Sequence, residues 1–127
     1  SRGLGDVYKR QLLVAGQVHG GIVQGLGQAM GEQALFEEET GQLINGSYMD
    51  YHMPRADEFP EFDLDFNEDA ECTTNMLGAK GCGEAGTVAS TTAYVNAIYD
   101  ALSDYNFDEL DMPITPMKIW KIVNKPN

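Results

Sequence analysis

A helical period crowded with glycine constrains this chain more than any other feature. Over Gln17–Gln33 (QVHGGIVQGLGQAMGEQ), Val18, Ile22, Leu26 and Met30 recur every four residues and draw one apolar stripe. Gly20, Gly21, Gly25, Gly27 and Gly31 fall in the same stretch, each costing about 1 kcal/mol relative to alanine in a helix interior. A helix that accepts this cost brings its backbone close to a neighbour or to a ligand, and the spacing alone leaves both open. The N-terminal end of the periodic segment carries Gln17, His19, Gly20 and Gly21. It is expected to offer free N–H groups and an amide side chain.

A second glycine-rich stretch, Gly78-Ala79-Lys80-Gly81-Cys82-Gly83-Glu84-Ala85-Gly86-Thr87, sets a single carboxylate just before another apolar-periodic segment. Glycines let backbone approach a ligand with no Cβ in the way. The N–H groups of the following helix would face the same spot as Glu84. A carboxylate beside anion-binding backbone is a workable general base; an ordinary tight turn before a helix has the same composition.

At 127 residues the chain is one domain at most, able to bury roughly two-thirds of its unfolded surface. A net charge of −12 and a pI near 4.3 argue against nucleic acid or an anionic membrane as partners. No apolar run approaches the ~20 residues that span a bilayer, and no signal-peptide core follows a basic start. Cys72 and Cys82 are too few for a disulfide framework and match no zinc spacing, so free thiols in a reducing cytoplasm are expected.

Ser1–Gln11 (SRGLGDVYKRQ) shows no period. It reads either as a non-native remnant, like a translated sequencing adapter, or as a disordered tail; neither carries function. Ala34–Glu38 and Gln42–Ser47 flank Thr40-Gly41, a hairpin signal with Gly41 at the turn. Tyr48–Arg55 is expected to run extended. Residues 57–71 hold eight carboxylates and no base; within them Phe62, Leu64 and Phe66 alternate with Glu61, Asp63 and Asp65, the pattern of a half-buried strand. That alternation points the acids to water and the calcium-loop spacing is absent, so no protein metal ligand is expected there. Val88, Val95, Ile98 and Leu102 mark one face of a helix ending near Asp104. Asp108–Asp111 reads as a short strand. Thr115-Pro116 starts a last helix, Thr as N-cap and Pro at its first position, burying Ile119, Trp120 and Val123. Two main helices and a short C-terminal one, with a hairpin and short strands, make an α+β arrangement.

Three of these blocks, GQVHGGIVQGLGQAMGE, LGAKGCGEAGT and LDMPITPMKIW, together resemble the molybdopterin-binding large subunit of the xanthine dehydrogenase/aldehyde oxidase family. The likeness is greatest to its carbon monoxide dehydrogenase-like branch. It runs from Leu12 to the end, so residues 12–127 would be the C-terminal portion of the molybdopterin-binding domain. The resemblance implies that Glu84, in the family's Gly-x-Gly-Glu motif, is the active-site base. It also implies that Gln17 lies near the cofactor, and that Gly20, Gly21, Lys80, Gly81, Cys82 and Gly83 help to hold it. The cofactor implied is molybdenum with oxo, sulfido and hydroxyl ligands on a pterin dithiolene, in bacteria commonly the cytosine dinucleotide form. The implied partners are an iron–sulfur subunit and an FAD subunit, in a dimer of heterotrimers, with a small-molecule substrate. Where the family often has Asn-Pro-Leu-Gly, this chain has Asn75-Met76-Leu77-Gly78, which should loosen the approach to the loop.

The implied chemistry fits the residues. Hydroxylating an electron-poor carbon needs a nucleophilic oxygen, a proton acceptor and a two-electron sink; no side chain is such a sink, so a cofactor must serve. Burial beside an anionic group strengthens a carboxylate as a base. Lys80 could steady a phosphate, the loop, or simply face solvent. The chain alone is expected to be inactive, because much of the pocket would lie on other sequence. Two rivals remain: Cys82 as nucleophile with His19 or His52 as base, and an inert fragment or stand-alone binding module with an anion-binding loop.

Overall fold

The computed structural model describes residues 3–67, 69–70 and 72–125. Among the described residues, three helices order the chain: α1 (Gly3–Met30), α2 (Ala85–Ala101) and α3 (Pro116–Val123). A 3-10 turn at Ala56–Glu58 lies between α1 and α2. The two main helices and the short C-terminal one occur in the expected order. The β part is smaller than expected, with Phe36–Leu43 the one bridge among the described residues.

Helix α1 starts well before the periodic segment does. Leu12–Ala15 contain no breaker, and extending a formed helix costs little. Gln17, His19, Gly20 and Gly21 therefore occupy the helix interior, not its first turn. This corrects the expectation that their backbone N–H groups would be free.

The glycines of α1 serve close packing on α2. Gly21 and Gly86 are both buried, and a Cβ built on Gly21 would stand 3.1 Å from the Gly86 Cα. A Cβ on Gly86 would overlap the Val18 carbonyl and the Ile22 amide. Two threonines of α2 then donate to carbonyls of α1, Thr87 Oγ1 to Gly21 O at 2.8 Å and Thr91 Oγ1 to Gly25 O at 3.0 Å. Both pairs are offset by 66 residues, so the helices run side by side in the same sense. Val88 is 74% exposed, correcting its assignment to the inner face. The small residues, and not the valine, face α1, because only they admit so close an approach.

The hairpin forms as the turn chemistry directs. Gly41 takes φ 69°, Glu37 N donates to Gln42 O, and Ile44 N donates to Leu35 O. Buried Asn45 closes its base, accepting from Leu35 N (2.8 Å) and donating to Gln33 O (2.6 Å). Residues 62–66 keep their alternation, Phe62, Leu64 and Phe66 half-buried and the acids exposed, yet form no strand, having no ladder partner among the described residues. Residues 108–111 are likewise irregular, pinned instead by Leu110 N donating to Tyr99 Oη at 2.9 Å. Tyr48–Arg55 opens with a turn rather than running extended, the amides of Asp50 and Tyr51 both donating to Ser47 O.

The final block docks on the end of α1. Pro113 and Ile114 are buried, and Ile114 N donates to the carbonyl of fully buried Ala29 at 2.6 Å. Thr115 caps α3, its side chain accepting from Lys118 N, with Pro116 at the first position. Trp120 is 60% exposed and Val123 is also exposed; only Ile119 of the expected trio is even half-buried. Trp120 and Ile119 instead line an open apolar groove of about 360 Å³ with Met30, Tyr94 and Pro116.

Candidate functional site

The helix pair brings Gln17 to the Glu84 loop. Gln17 Nε2 donates to Gly83 O at 2.9 Å, with the same 66-residue offset as the two threonine bonds. The three bonds form a ladder with a rung every four residues: Gln17–Gly83, Gly21–Thr87 and Gly25–Thr91. The register of α1 against α2 therefore also fixes where the Gly83–Glu84 peptide stands. Gln17 does this from the middle of a helix, through its side chain.

Glu84 is the N-cap of α2, at φ −106° and ψ 0°, and its side chain makes no capping hydrogen bond. Its backbone carbonyl accepts from Thr87 N (3.0 Å) and Val88 N (3.2 Å). The carboxylate is exposed and has no hydrogen-bond or ion-pair partner among the described residues, so its backbone is held while its side chain stays available.

Around it the chain leaves room. Ideal Cβ atoms on Gly20, Gly81 and Gly83 would meet nothing within 4 Å. Among the described residues, no acceptor meets the amides of Gly81, Cys82 or Gly83. A run of unpaired N–H groups beside open space suits an anionic ligand, and in this respect the residues present fit a pterin phosphate. Lys80 is exposed at the near end of the run; Cys82 is half-buried and its carbonyl accepts from Ala85 N. Gly21 differs from these: it is buried against α2, so it belongs to the helix contact rather than to the open side. His19 packs on Phe62, ring centroids 5.8 Å apart, and its buried Nε2 finds no partner among the described residues. His52 lies 3.9 Å from Glu58. Each histidine thus has a neighbour other than Cys82.

Asn75 was not singled out as a site residue from the sequence, yet it organises the approach to the loop. It closes a turn with Gly78 at φ 63°, and Met76, at the position where the family often has proline, sits fully exposed within it. Proline is favoured at that second turn position. The signal available was the Asn-x-x-Gly pattern, since asparagine side chains bond to nearby backbone in turns. Close by, the Cys72 thiol is held below its ordinary pKa by the Thr74 hydroxyl, then by backbone bonds and the Lys80 charge.

Glycine-packed parallel helices thus set a glycine-rich loop with one exposed carboxylate on one side of the contact, and an Asp-Met-Pro segment docks on the end of α1. A molybdopterin cofactor-binding domain family matches residues 5–60. The chain is 44% identical over 110 residues to the 6-hydroxypseudooxynicotine dehydrogenase complex subunit gamma of Paenarthrobacter nicotinovorans, covering 86% of this chain and 14% of that protein. It is 34% identical over 116 residues to the carbon monoxide dehydrogenase large chain of Hydrogenophaga pseudoflava, covering 91% and 14%. In structure it matches quinoline 2-oxidoreductase from Pseudomonas putida 86 with a TM-score of 0.80 at 30% identity, over 92% of this chain and 15% of that one. The chain belongs to the xanthine dehydrogenase/aldehyde oxidase family of molybdopterin-binding large subunits, and it spans about 14% of the length of the curated relatives it matches. Among the described residues, no helix is long and apolar enough to cross a membrane.

Proposed function

We propose that this chain is part of the catalytic subunit of a molybdenum hydroxylase, with Glu84 as general base. The observation that carries the reading is the Gln17–Gly83 bond, which sets a free carboxylate beside open, N–H-lined space. The substrate class is an aldehyde, an N-heterocycle or a similar small molecule, oxidised with oxygen derived from water. The bound molybdenum cofactor supplies the two-electron sink. Gly81, Cys82 and Gly83 hold its anionic part through their amides, Lys80 adds a positive charge at the near end, and Gly20 leaves space for it from α1. Gly21 supports the site by keeping α1 close to α2. Glu84 accepts the proton from the water-derived nucleophile at its carboxylate. The rest of the subunit encloses the carboxylate and excludes water, which strengthens the base; this segment by itself is inactive.

Names of relatives as a complex subunit gamma and as a large chain support a multi-subunit assembly. We place the electron exit on iron–sulfur and FAD subunits, in a cytoplasmic dimer of heterotrimers, with the pterin in its cytosine dinucleotide form.

In the full-length subunit, Glu84→Gln should keep stoichiometric molybdenum and lose at least ~10²-fold in turnover, the low end for a general base. Cys82→Ser should keep most activity. An active Glu84→Gln enzyme beside a dead Cys82→Ser enzyme would transfer the chemistry to the thiol and end the proposal.

A further inference from the structure

We infer that Asn75 is a positioning residue for the Glu84 loop, an inference that rests on reading Glu84 as the base. Its Oδ1 accepts from the amides of Leu77 (3.1 Å) and Ala79 (3.0 Å). Its Nδ2 donates to the Ala79 carbonyl (3.0 Å) and to Cys72 Sγ (3.3 Å). One amide group thus grips both the N–H and the C=O of Ala79, while the Asn75 carbonyl accepts from Gly78 N at 3.2 Å.

Lys80 follows Ala79 directly. Beyond it, a Cβ on Gly81 or Gly83 would meet nothing within 4 Å, and the first long-range bond is that from Gln17 to Gly83. The loop therefore has a locally fixed turn at its near end, every Asn75 bond lying within residues 72–79, and the helix ladder at its far end. Four glycines between residues 78 and 86 give such a loop many conformations unless both ends are fixed. Without the Asn75 turn Lys80–Cys82 are freed, and Gly83 and Glu84 are held by the far anchor and α2 alone. Asparagine is the residue that fits: aspartate keeps the acceptor for two amides and loses both donor bonds, and alanine loses all four.

The test uses the holoenzyme that carries this chain in its full-length subunit, with amide hydrogen exchange and steady-state kinetics measured together. In Asn75→Ala, exchange at Leu77 and Ala79 should accelerate and kcat should fall about ten- to a hundredfold, the scale of a small misplacement at a reacting centre. KM should hold, with kcat expressed per bound molybdenum because the freed segment carries amides proposed to hold the cofactor. Asn75→Asp, which keeps the acceptor but turns a carboxylate oxygen toward the Ala79 carbonyl, should restore protection at both amides and kcat only in part. Unchanged exchange in Asn75→Ala would overturn the anchoring; faster exchange with unchanged kcat would overturn the positioning role. Equal loss in the alanine and aspartate variants would overturn the assignment to the acceptor oxygen. Full turnover in Glu84→Gln would instead remove the base that the loop positions, and it is separable because the exchange readout does not involve Glu84.

Discussion

Glu84 caps α2 with its backbone and withholds its side chain. Gln17 does the opposite, lying within a helix and spending its side chain on Gly83 O. Between them, position is set by bonds that leave the carboxylate free, which is what a proton acceptor requires. Cys72 offers a different residue-scale test. The Thr74 hydroxyl lies 3.1 Å from its Sγ and Asn75 Nδ2 donates to it, and bonds donated to the thiolate favour the charged form. Its folded pKa is lowered, so the thiolate persists to lower pH than in an ordinary thiol. The pH profile of Cys72 alkylation should accordingly lie below that of a small-molecule thiol, and Thr74→Val should move it back up. A profile matching the small-molecule thiol and insensitive to Thr74→Val would contradict the assignment.

At the scale of elements, the α1–α2 contact rests on small residues rather than on large apolar ones. Gly86→Ala would press a methyl against backbone at Val18 and Ile22, atoms that cannot rotate away. It should destabilise the fold by about 1–3 kcal/mol, as overpacking does. Gly16→Ala, on α1, meets nothing within 4 Å and should stabilise by about 0.8–1 kcal/mol through helix propensity. Denaturant titrations giving both the same sign would contradict this packing. Within α1 itself, a Cβ on Gly21 would stand 3.1 Å from the Gly86 Cα while one on Gly16 meets nothing, which is why the glycines of α1 were legible as a group but not one by one. Sequence marks a helix that tolerates glycine; which glycine touches a neighbour depends on the 66-residue register, which no local pattern carries. The cap at Thr115 and the turn at Gly41 were fully legible because their chemistry is local. Residues 62–66 show the reverse case. Their alternation correctly foretold which side chains are half-buried, but a strand also needs a pairing partner, and alternation says nothing of one. Val88 and Trp120 were misplaced for a related reason, since an apolar residue at helical spacing was taken to face inward.

Across the whole molecule, fully buried apolar side chains are few among the described residues: Ala29 and Ile114 are 0% exposed. Large side chains such as Trp120, Tyr48 and Met49 stand largely in solvent. The chain spans about 14% of its relatives' length, and on our proposal these surfaces, the open groove beside Trp120 included, meet the remainder of the subunit. The same remainder would enclose Glu84. The central claim is that Gln17, the glycine-rich loop and Glu84 form one wall of the cofactor site. Crystals of the holoenzyme, measured on either side of the molybdenum absorption edge, test it most directly. The account predicts an anomalous peak on the open side of Gly20 and Gly83, close enough for the Glu84 carboxylate to reach a group on the metal directly or through one water. A peak more than about 10 Å from that carboxylate, a full helix-packing distance away, would contradict it.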